Sequence, residues 1–238
     1  AVNGQTPGTG MFAWPTRPTR LELLGQKGGG LLAYNSSTIT AVNTNVVVSS
    51  TGSTYGALAN HSSSLNLTGG SITMTGTNSD VGAGIARSDR SSANVQGTEI
   101  ETQNPFAGVW AYGNSELTAQ DMTVTTKGAD SIALLIDLNS RSEAENSTIK
   151  ALGSGSVALM ATTNARFSDQ GSTFTTSGAN SNAVEVRGDS VAELSGATVQ
   201  ADGPNNIGAR LTGNNPQLSM TGVSLSSAGT GASLRGVT

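Results

Sequence analysis

The sequence predicts an all-β protein, a right-handed single-stranded parallel β-helix with three short strands in each coil of about 25 residues. Short apolar segments recur at intervals of 24 to 28 residues, and a turn-forming residue follows each of them. The chain has 31 glycines, 12% charged residues and 4% aromatic residues, so any core is built mainly from Ala, Val, Ile and Leu. In a solenoid each unit buries little apolar surface, and stacking of units supplies the rest.

The first strand of each coil begins the repeat, from "SITMTG" at residue 71 to "SLSSAG" at residue 224. The apolar residues in its second position are Val48, Ile72, Ile100, Val124, Ile149, Phe174, Val199 and Leu225. Four residues after each comes a turn former, in the column Gly52, Gly76, Asn104, Gly128, Gly153, Gly178, Gly203 and Gly229. Gly and Asn tolerate positive φ best, so this column predicts a recurring left-handed backbone conformation.

The second strand includes "AGVWAY", "IALLID" and "VALMAT". Strict alternation assigns one set of residues to the core, namely Ala107, Val109, Ala111, Ile132, Leu134, Ile136, Val157, Leu159, Ala161, Val184, Val186, Ile207, Ala209 and Leu211. Two columns then face outward: a mixed one of Ala86, Trp110, Leu135, Met160, Glu185 and Arg210, and a small one of Gly84, Gly108, Ala133, Ala158, Ala183 and Gly208.

Large apolar residues in the mixed outward column predict a binding surface. Trp110, Leu135 and Met160 occupy successive coils, and Tyr112 follows nearby. If exposed, they form an apolar ridge of the kind that marks a contact site. The alternative is that a neighbouring segment, such as the one containing Trp14, covers the ridge.

The third strand is shorter and lies just before the next first strand, as in the pairs Leu65 and Leu67, Leu117 and Ala119, Ala192 and Leu194, and Leu218 and Met220. The repeat predicts two regions. Residues 1–44 form an irregular N-terminal segment or cap with the first coil, and residues 45–238 form β-helix repeats truncated within the last coil. Eight coils at the inter-strand spacing make a rod roughly 40 Å long.

Composition argues against several classes of function. The net charge is −4 with a pI near 4.9, so the surface has no basic stripe that would attract nucleic acid. There is no cysteine for disulfides or thiolate metal sites, and no apolar run of about 20 residues to span a bilayer. No metal constellation is evident, and we expect no cofactor.

The coil pattern in "EIETQNPFAGVWA" and "TVTTKGADSIALL" resembles the passenger domains of pertactin-like autotransporters of Gram-negative bacteria, over about residues 45–238. The resemblance implies a cysteine-poor β-helix at the outer-membrane surface or outside the cell, with roles in adhesion, self-association or virulence. In that family a signal peptide and a C-terminal β-barrel direct export, and the barrel provides the link to the membrane. Neither occurs in this sequence, so we expect it to be part of a longer chain.

The stretch "EVRGDSVAEL" contains Arg187, Gly188, Asp189 and Ser190, the letters of an integrin-binding loop. The same slot in other coils reads "AYGNS", "IDLNS" and "LTGNN". Gly, Asn, Asp and Ser are the residues of tight turns, so the turn alone explains most of the motif. An exposed rigid turn also suits recognition, and integrin binding through Arg187, Gly188 and Asp189 stays open.

Function is expected to be binding without catalysis: a rigid rod that presents surfaces to a host-cell protein or glycan, or to neighbouring cells by self-association. The alternative is a β-helix polysaccharide lyase or hydrolase that uses turn charges such as Arg87, Asp137 and Asp189. Turn charges on alternate coils are about 9.6 Å apart, which is wide for the carboxylate pair of a retaining enzyme and marginal for that of an inverting one. The single histidine, His61, is in a turn and is expected to be solvated. A purely structural stalk is the third possibility.

Overall fold

The computed structural model describes residues 19–25, 28–50, 54–76, 83–103, 106–227 and 234–237. Every regular element in these ranges is a β-strand. The first thirteen are β1 (Thr19–Gly25), β2 (Gly28–Tyr34), β3 (Thr38–Val42), β4 (Thr44–Ser50), β5 (Thr54–Asn60), β6 (Ser64–Thr68), β7 (Ser71–Met74), β8 (Ala83–Arg87), β9 (Ser92–Gln96), β10 (Glu99–Thr102), β11 (Ala107–Ala111), β12 (Glu116–Gln120) and β13 (Thr123–Thr126). The others are β14 (Ile132–Ile136), β15 (Arg141–Glu145), β16 (Thr148–Ala151), β17 (Val157–Ala161), β18 (Arg166–Gln170), β19 (Thr173–Thr176), β20 (Asn182–Arg187), β21 (Val191–Ser195), β22 (Thr198–Ala201), β23 (Ile207–Thr212), β24 (Gln217–Thr221), β25 (Ser224–Ser227) and β26 (Leu234–Val237).

Each strand pairs in parallel with the strand three places further along the chain. Sheet one, from β1 to β25, and sheet two, from β2 to β26, have nine described strands each, and sheet three, from β3 to β24, has eight. Three strands therefore make one coil, and coils stack along the rod. This confirms the predicted β-helix with three strands and about 25 residues in each coil.

Regular coiling extends further towards the N-terminus than the predicted boundary at residue 45. Strand β1 pairs with β4 from Thr19↔Thr44 onward, and β3 pairs with β6 from Thr38↔Ser64. Strands β1 to β3 thus form a coil of the same kind as the later ones. Residues 1–18, including Trp14, lie outside the described residues.

A continuous apolar core runs along the rod between the three sheets. It contains the predicted first-strand column from Val48 to Val199 and the third-strand residues such as Leu65, Leu117 and Leu194. The rings of Phe167 and Phe174 meet edge to face, with centroids 6.0 Å apart. Full burial of one such aliphatic or aromatic side chain stabilises the fold by about 1.5–3 kcal/mol.

Buried hydroxyl ladders connect successive coils at the corner before sheet two. The amide of Ser131 donates to Ser156 Oγ at 3.2 Å, and that of Ser156 donates to Ser181 Oγ at 3.1 Å. The ladder ends where the Ser181 amide donates to Asn206 Oδ1 at 2.9 Å. Each side chain satisfies a turn amide of the preceding coil that would otherwise be buried without a partner.

The glycine column after the first strand does not have the positive φ that the sequence predicted. Gly153, Gly178 and Gly203 have ordinary φ, and a Cβ atom at any of them would overlap the backbone of the coil before it. Close approach of stacked backbones, not a left-handed conformation, therefore requires glycine here. The members Gly52, Asn104 and Gly229 lie outside the described residues. Positive φ recurs instead two residues later in the same turn, at Asp130, Gly155, Asn180 and Asn205. It also recurs between the third and first strands, at Asn43, Gly69, Gly97, Asp121, Asn146, Gly171, Gly196 and Gly222.

Candidate functional site

The strands of sheet two bend, and the bend changes which residues face the core. Ala133 and Leu134 both belong to the main core, although they are consecutive, whereas Ile132 packs outside with Leu135. The small-residue column predicted to face outward therefore faces inward. A Cβ atom at Gly108 would meet the Val124 side chain of sheet one, so this inner corner accepts only small residues. The prediction that Ala107, Ile132 and Val157 face the core is wrong for the same reason, because they lie in the outer clusters.

The predicted apolar ridge is covered. Leu135 is 4% and Met160 is 6% exposed, and both pack with Val157 in an outer cluster. Ile132, Phe106 and Trp110 pack against the same cluster, and the last two also contact a second cluster that contains Leu58 and Ala86. Of the two alternatives that the sequence left open, the structure therefore shows the covered one, because Leu135 and Met160 have almost no surface left for a partner.

An aromatic stack remains accessible at one end of this outer face. Trp110 and Tyr112 are half-buried and stacked, with ring centroids 4.2 Å apart. Phe106 meets Trp110 edge to face at 4.7 Å. Burial raises the pKa of the Tyr55 hydroxyl, and nearby Tyr112 and Tyr34 raise it further. We define Tyr34, Tyr55, Trp110 and Tyr112 as the aromatic patch, which brings all three tyrosines of the chain together.

Polar groups separate the members of the aromatic patch. Tyr34 is 42% exposed and pairs in register with Asn60 of the next coil. The Ser88 hydroxyl, one coil further on, donates to Asn60 Oδ1 at 2.7 Å. The imidazole of His61 lies 3.7 Å from the Asp89 carboxylate and is exposed, like that of a solvated turn residue. The patch is thus a mixed surface of aromatic rings and hydrogen-bonding groups.

The structure places Arg187, Gly188 and Asp189 in a turn between sheets two and three. Arg187 ends β20, Gly188 has a φ of 61°, and its amide donates to the Thr212 carbonyl at 3.0 Å. The hydroxyl oxygen of Ser190 accepts a hydrogen bond from the Ala165 amide at 3.0 Å. Each of these residue types has a turn or ladder role, as the sequence predicted.

Both charged side chains of this turn already have partners. Arg187 Nε donates to Glu185 Oε1 at 2.8 Å, and Asp189 Oδ1 accepts from Asn215 Nδ2 at 3.2 Å. Glu185 is almost fully buried and also accepts from Asn182 Nδ2 at 2.9 Å. The contact with this buried carboxylate fixes one side of the Arg187 guanidinium, while 46% of the Arg187 side chain is exposed.

The turn charges considered for glycan cleavage have other roles. Asp137 Oδ1 accepts a hydrogen bond from the Leu138 amide at 2.7 Å, which is a local turn contact. Arg87, predicted in the same turn slot, is fully buried instead. Within the described ranges no group of three or more His, Cys, Asp or Glu side chains is placed to hold a metal ion. The described part of the chain also has no helix long and apolar enough to cross a membrane.

Sequence reasoning missed three buried ionisable residues: Glu185, described above, Arg87 and Asp169. Arg87 is fully buried opposite Ala59 and Ala111, and burial lowers its pKa to about 9. Asp169 lies on the inner face of β18, and burial raises its pKa, although hydrogen bonds from Ser172 oppose the shift. The sequence repeat could have revealed the burial of Arg87, because alignment of β8 with β11 pairs Arg87 with the core residue Ala111.

A solved structure has a similar architecture. The cryo-EM structure of the Vag8–C1 inhibitor complex contains a similar chain, Vag8, an autotransporter passenger, with a TM-score of 0.55 and 14% sequence identity. The match covers 90% of this chain and 69% of that one. This chain has an autotransporter-passenger-like β-helix fold. At this identity the likeness concerns the fold alone. No protein-family model and no curated protein matches the sequence.

Proposed function

We propose that the chain is the passenger, or part of it, of a pertactin-like autotransporter, and that it acts outside the cell as a non-enzymatic adhesin. The passenger-like fold supports the general kind of function. A stack of coils joined by parallel ladders is rigid, which suits the presentation of a surface away from a cell. The observation that carries the binding role is the half-exposed aromatic patch on an otherwise aromatic-poor chain.

The chemistry of the aromatic patch matches a contact surface for a host-cell surface protein. Tyrosine and tryptophan are enriched at interfaces because they bury large rigid rings and keep a polar group for hydrogen bonding. Tyr34 fits this description, because it is 42% exposed and pairs in register with Asn60. The patch crosses four coils, from β2 to β11, or about 14 Å of the rod.

Attachment of purified protein to cultured epithelial cells tests this proposal. We expect Tyr34→Ser and Tyr112→Ser each to weaken binding by about tenfold or more, as interface aromatic residues do. The matched control is Leu152→Ser, which replaces an exposed apolar side chain next to the end of β16 in sheet one. Binding that is unchanged in both tyrosine variants, or reduced equally in the control, contradicts the proposal. Circular dichroism verifies that each variant is folded.

The Arg187, Gly188 and Asp189 turn has a separate test. Because Arg187 is bound to buried Glu185, we expect the turn to be structural and Asp189→Glu to leave cell attachment unchanged. Glu185→Gln removes the charge that attracts the Arg187 guanidinium, so this variant tests whether the ion pair holds Arg187 in place. Loss of attachment in Asp189→Glu, together with competition by a soluble Arg-Gly-Asp peptide, would establish an integrin motif instead.

A further inference from the structure

Arg87 lies inside the β-helix. It is the last residue of β8 and pairs with Ala59 of β5 on one side and Ala111 of β11 on the other, both of which belong to the main core. Its relative exposure is 0%. Among the described residues, none of its three guanidinium nitrogens has a hydrogen-bond partner. The side chain is therefore a buried cation among apolar neighbours.

The residues that pair with Arg87 in register on both sides are small alanines. Further along the same column the residues are Ile136, Ala161 and Val186, which fill the core with hydrocarbon. Alanine also occurs elsewhere in this column, at Ala33 and Ala161, but the two residues that stack directly on Arg87 are both small. A guanidinium has five N–H donors in a flat fork, and two of them can contact one acceptor.

The charge needs compensation that the described side chains do not provide. Burial lowers the pKa of Arg87 to about 9, so the group is still a cation at neutral pH. Burial of an unpaired ion in an apolar interior is strongly unfavourable. Two carboxylates of the described residues are buried, Asp169 and Glu185. The strand of Asp169, β18, is three coils from β9, about 14 Å away, and the strand of Glu185, β20, is four coils from β8, about 19 Å away, where Glu185 contacts Arg187 and Asn182. Asp89, two residues after Arg87, is exposed and lies next to His61.

We propose that Arg87 binds a small inorganic anion, of the size and charge of chloride, inside the β-helix. A monovalent anion neutralises the guanidinium and accepts two of its N–H groups. A larger oxyanion would leave its remaining oxygens against alanine methyl groups without donors. The ladders on both sides of β8 enclose the site, so the anion enters as these coils form.

Anion binding to the folded form alone raises stability with anion concentration. The test compares thermal unfolding in potassium chloride and in potassium gluconate at equal ionic strength, since gluconate is too large for the site. We expect the melting temperature of the natural chain to be higher in chloride by about 3 °C or more. This difference should vanish in Arg87→Met and persist in Arg166→Met, which replaces an exposed arginine on sheet three. Equal melting temperatures of the natural chain in the two salts overturn the proposal, as does the same chloride effect in all three proteins.

Diffraction gives a direct measurement. Protein refolded in sodium bromide and crystallised in the same salt should show an anomalous bromide peak within about 3.5 Å of the Arg87 guanidinium, at hydrogen-bonding range for this larger ion. A guanidinium that contacts only water, or that has turned to reach a carboxylate, refutes the anion site.

Discussion

Asp169 shows at the scale of one residue how an ionisable group can weaken a solenoid core. It occupies the inward column of sheet three between Ala144 and Leu194, where other coils place hydrocarbon. One carboxylate oxygen accepts from the Ser172 amide at 3.3 Å, and the other has no hydrogen-bond partner. Desolvation therefore dominates, and the carboxyl group has a raised pKa.

Asp169→Asn should stabilise the protein at neutral pH. Because the folded form holds the proton of Asp169 more strongly than the unfolded form, the free energy of unfolding falls as pH rises from about 4 through the raised pKa. Asparagine keeps an acceptor for Ser172 and never ionises. We expect a melting temperature above that of the natural chain at pH 7, and a smaller difference near pH 4. The control Asp202→Asn, at an exposed position, should show no such trend. A lower melting temperature for Asp169→Asn at pH 7 contradicts this account.

The repeat in the sequence is enough to place the side chains of Arg87 and Asp169 on the inner face, but their charge argues for the outer one. Register alone puts Arg87 opposite Ala111, and Asp169 opposite Ala144. Charged residues are almost never fully buried without a partner, so a charge at the end of a strand is naturally assigned to the following turn. In these coils the position of a residue in the repeat predicts whether its side chain faces inward better than its charge does.

At the scale of one strand, strict alternation predicts sheets one and three but not sheet two. A straight strand places every second side chain inward, whereas Ala133 and Leu134 both enter the core at the bend. Sequence alone does not show the bend. The column that holds only glycine and alanine could have indicated the bend, because small residues often occur where another part of the chain packs closely against the backbone. The partly exposed Tyr112 was predicted in the candidate site, whereas the nearby Tyr34 and Tyr55 were not.

Two kinds of glycine should respond differently to a methyl group. Gly178→Ala would place Cβ against the Gly153 carbonyl of the preceding coil, so we expect a loss of about 2–3 kcal/mol in the free energy of unfolding. Gly196 has a φ of 64°, and a Cβ atom there would have no neighbour within 4 Å, so Gly196→Ala should cost only about 1 kcal/mol of backbone strain. Urea denaturation measures both values. If Gly196→Ala destabilised the protein more than Gly178→Ala, the close stacking of coils would not be the reason for glycine at position 178.

At the scale of the whole molecule, each coil contacts mainly its two neighbours, so coils should be removable as units. Deletion of residues 116–140 removes 25 residues, which is one full coil, and joins Ser115 to Arg141 in the same register. We expect a folded rod, with a β-sheet circular dichroism spectrum and a length shorter by about 4.8 Å in small-angle scattering.

Deletion of residues 116–127 is the matched control for this prediction, because it removes β12 and β13 and brings β14 directly after the turn that follows β11. The three sheets can then no longer continue in order, and we expect aggregation or loss of cooperative unfolding. If both deletions behave alike, coil register does not govern the fold.

The parallel pairing of every described strand also has a mechanical consequence. The strands lie across the rod, and the ladder hydrogen bonds point along it, from each coil to the next. Tension between the two ends would pull along these bonds, and the coils would detach one after another from an end of the rod. Each released coil of about 25 residues adds roughly 80 Å of extended chain. The molecule would therefore resist a pull through many small yielding steps and lengthen many times over before its last coil opened.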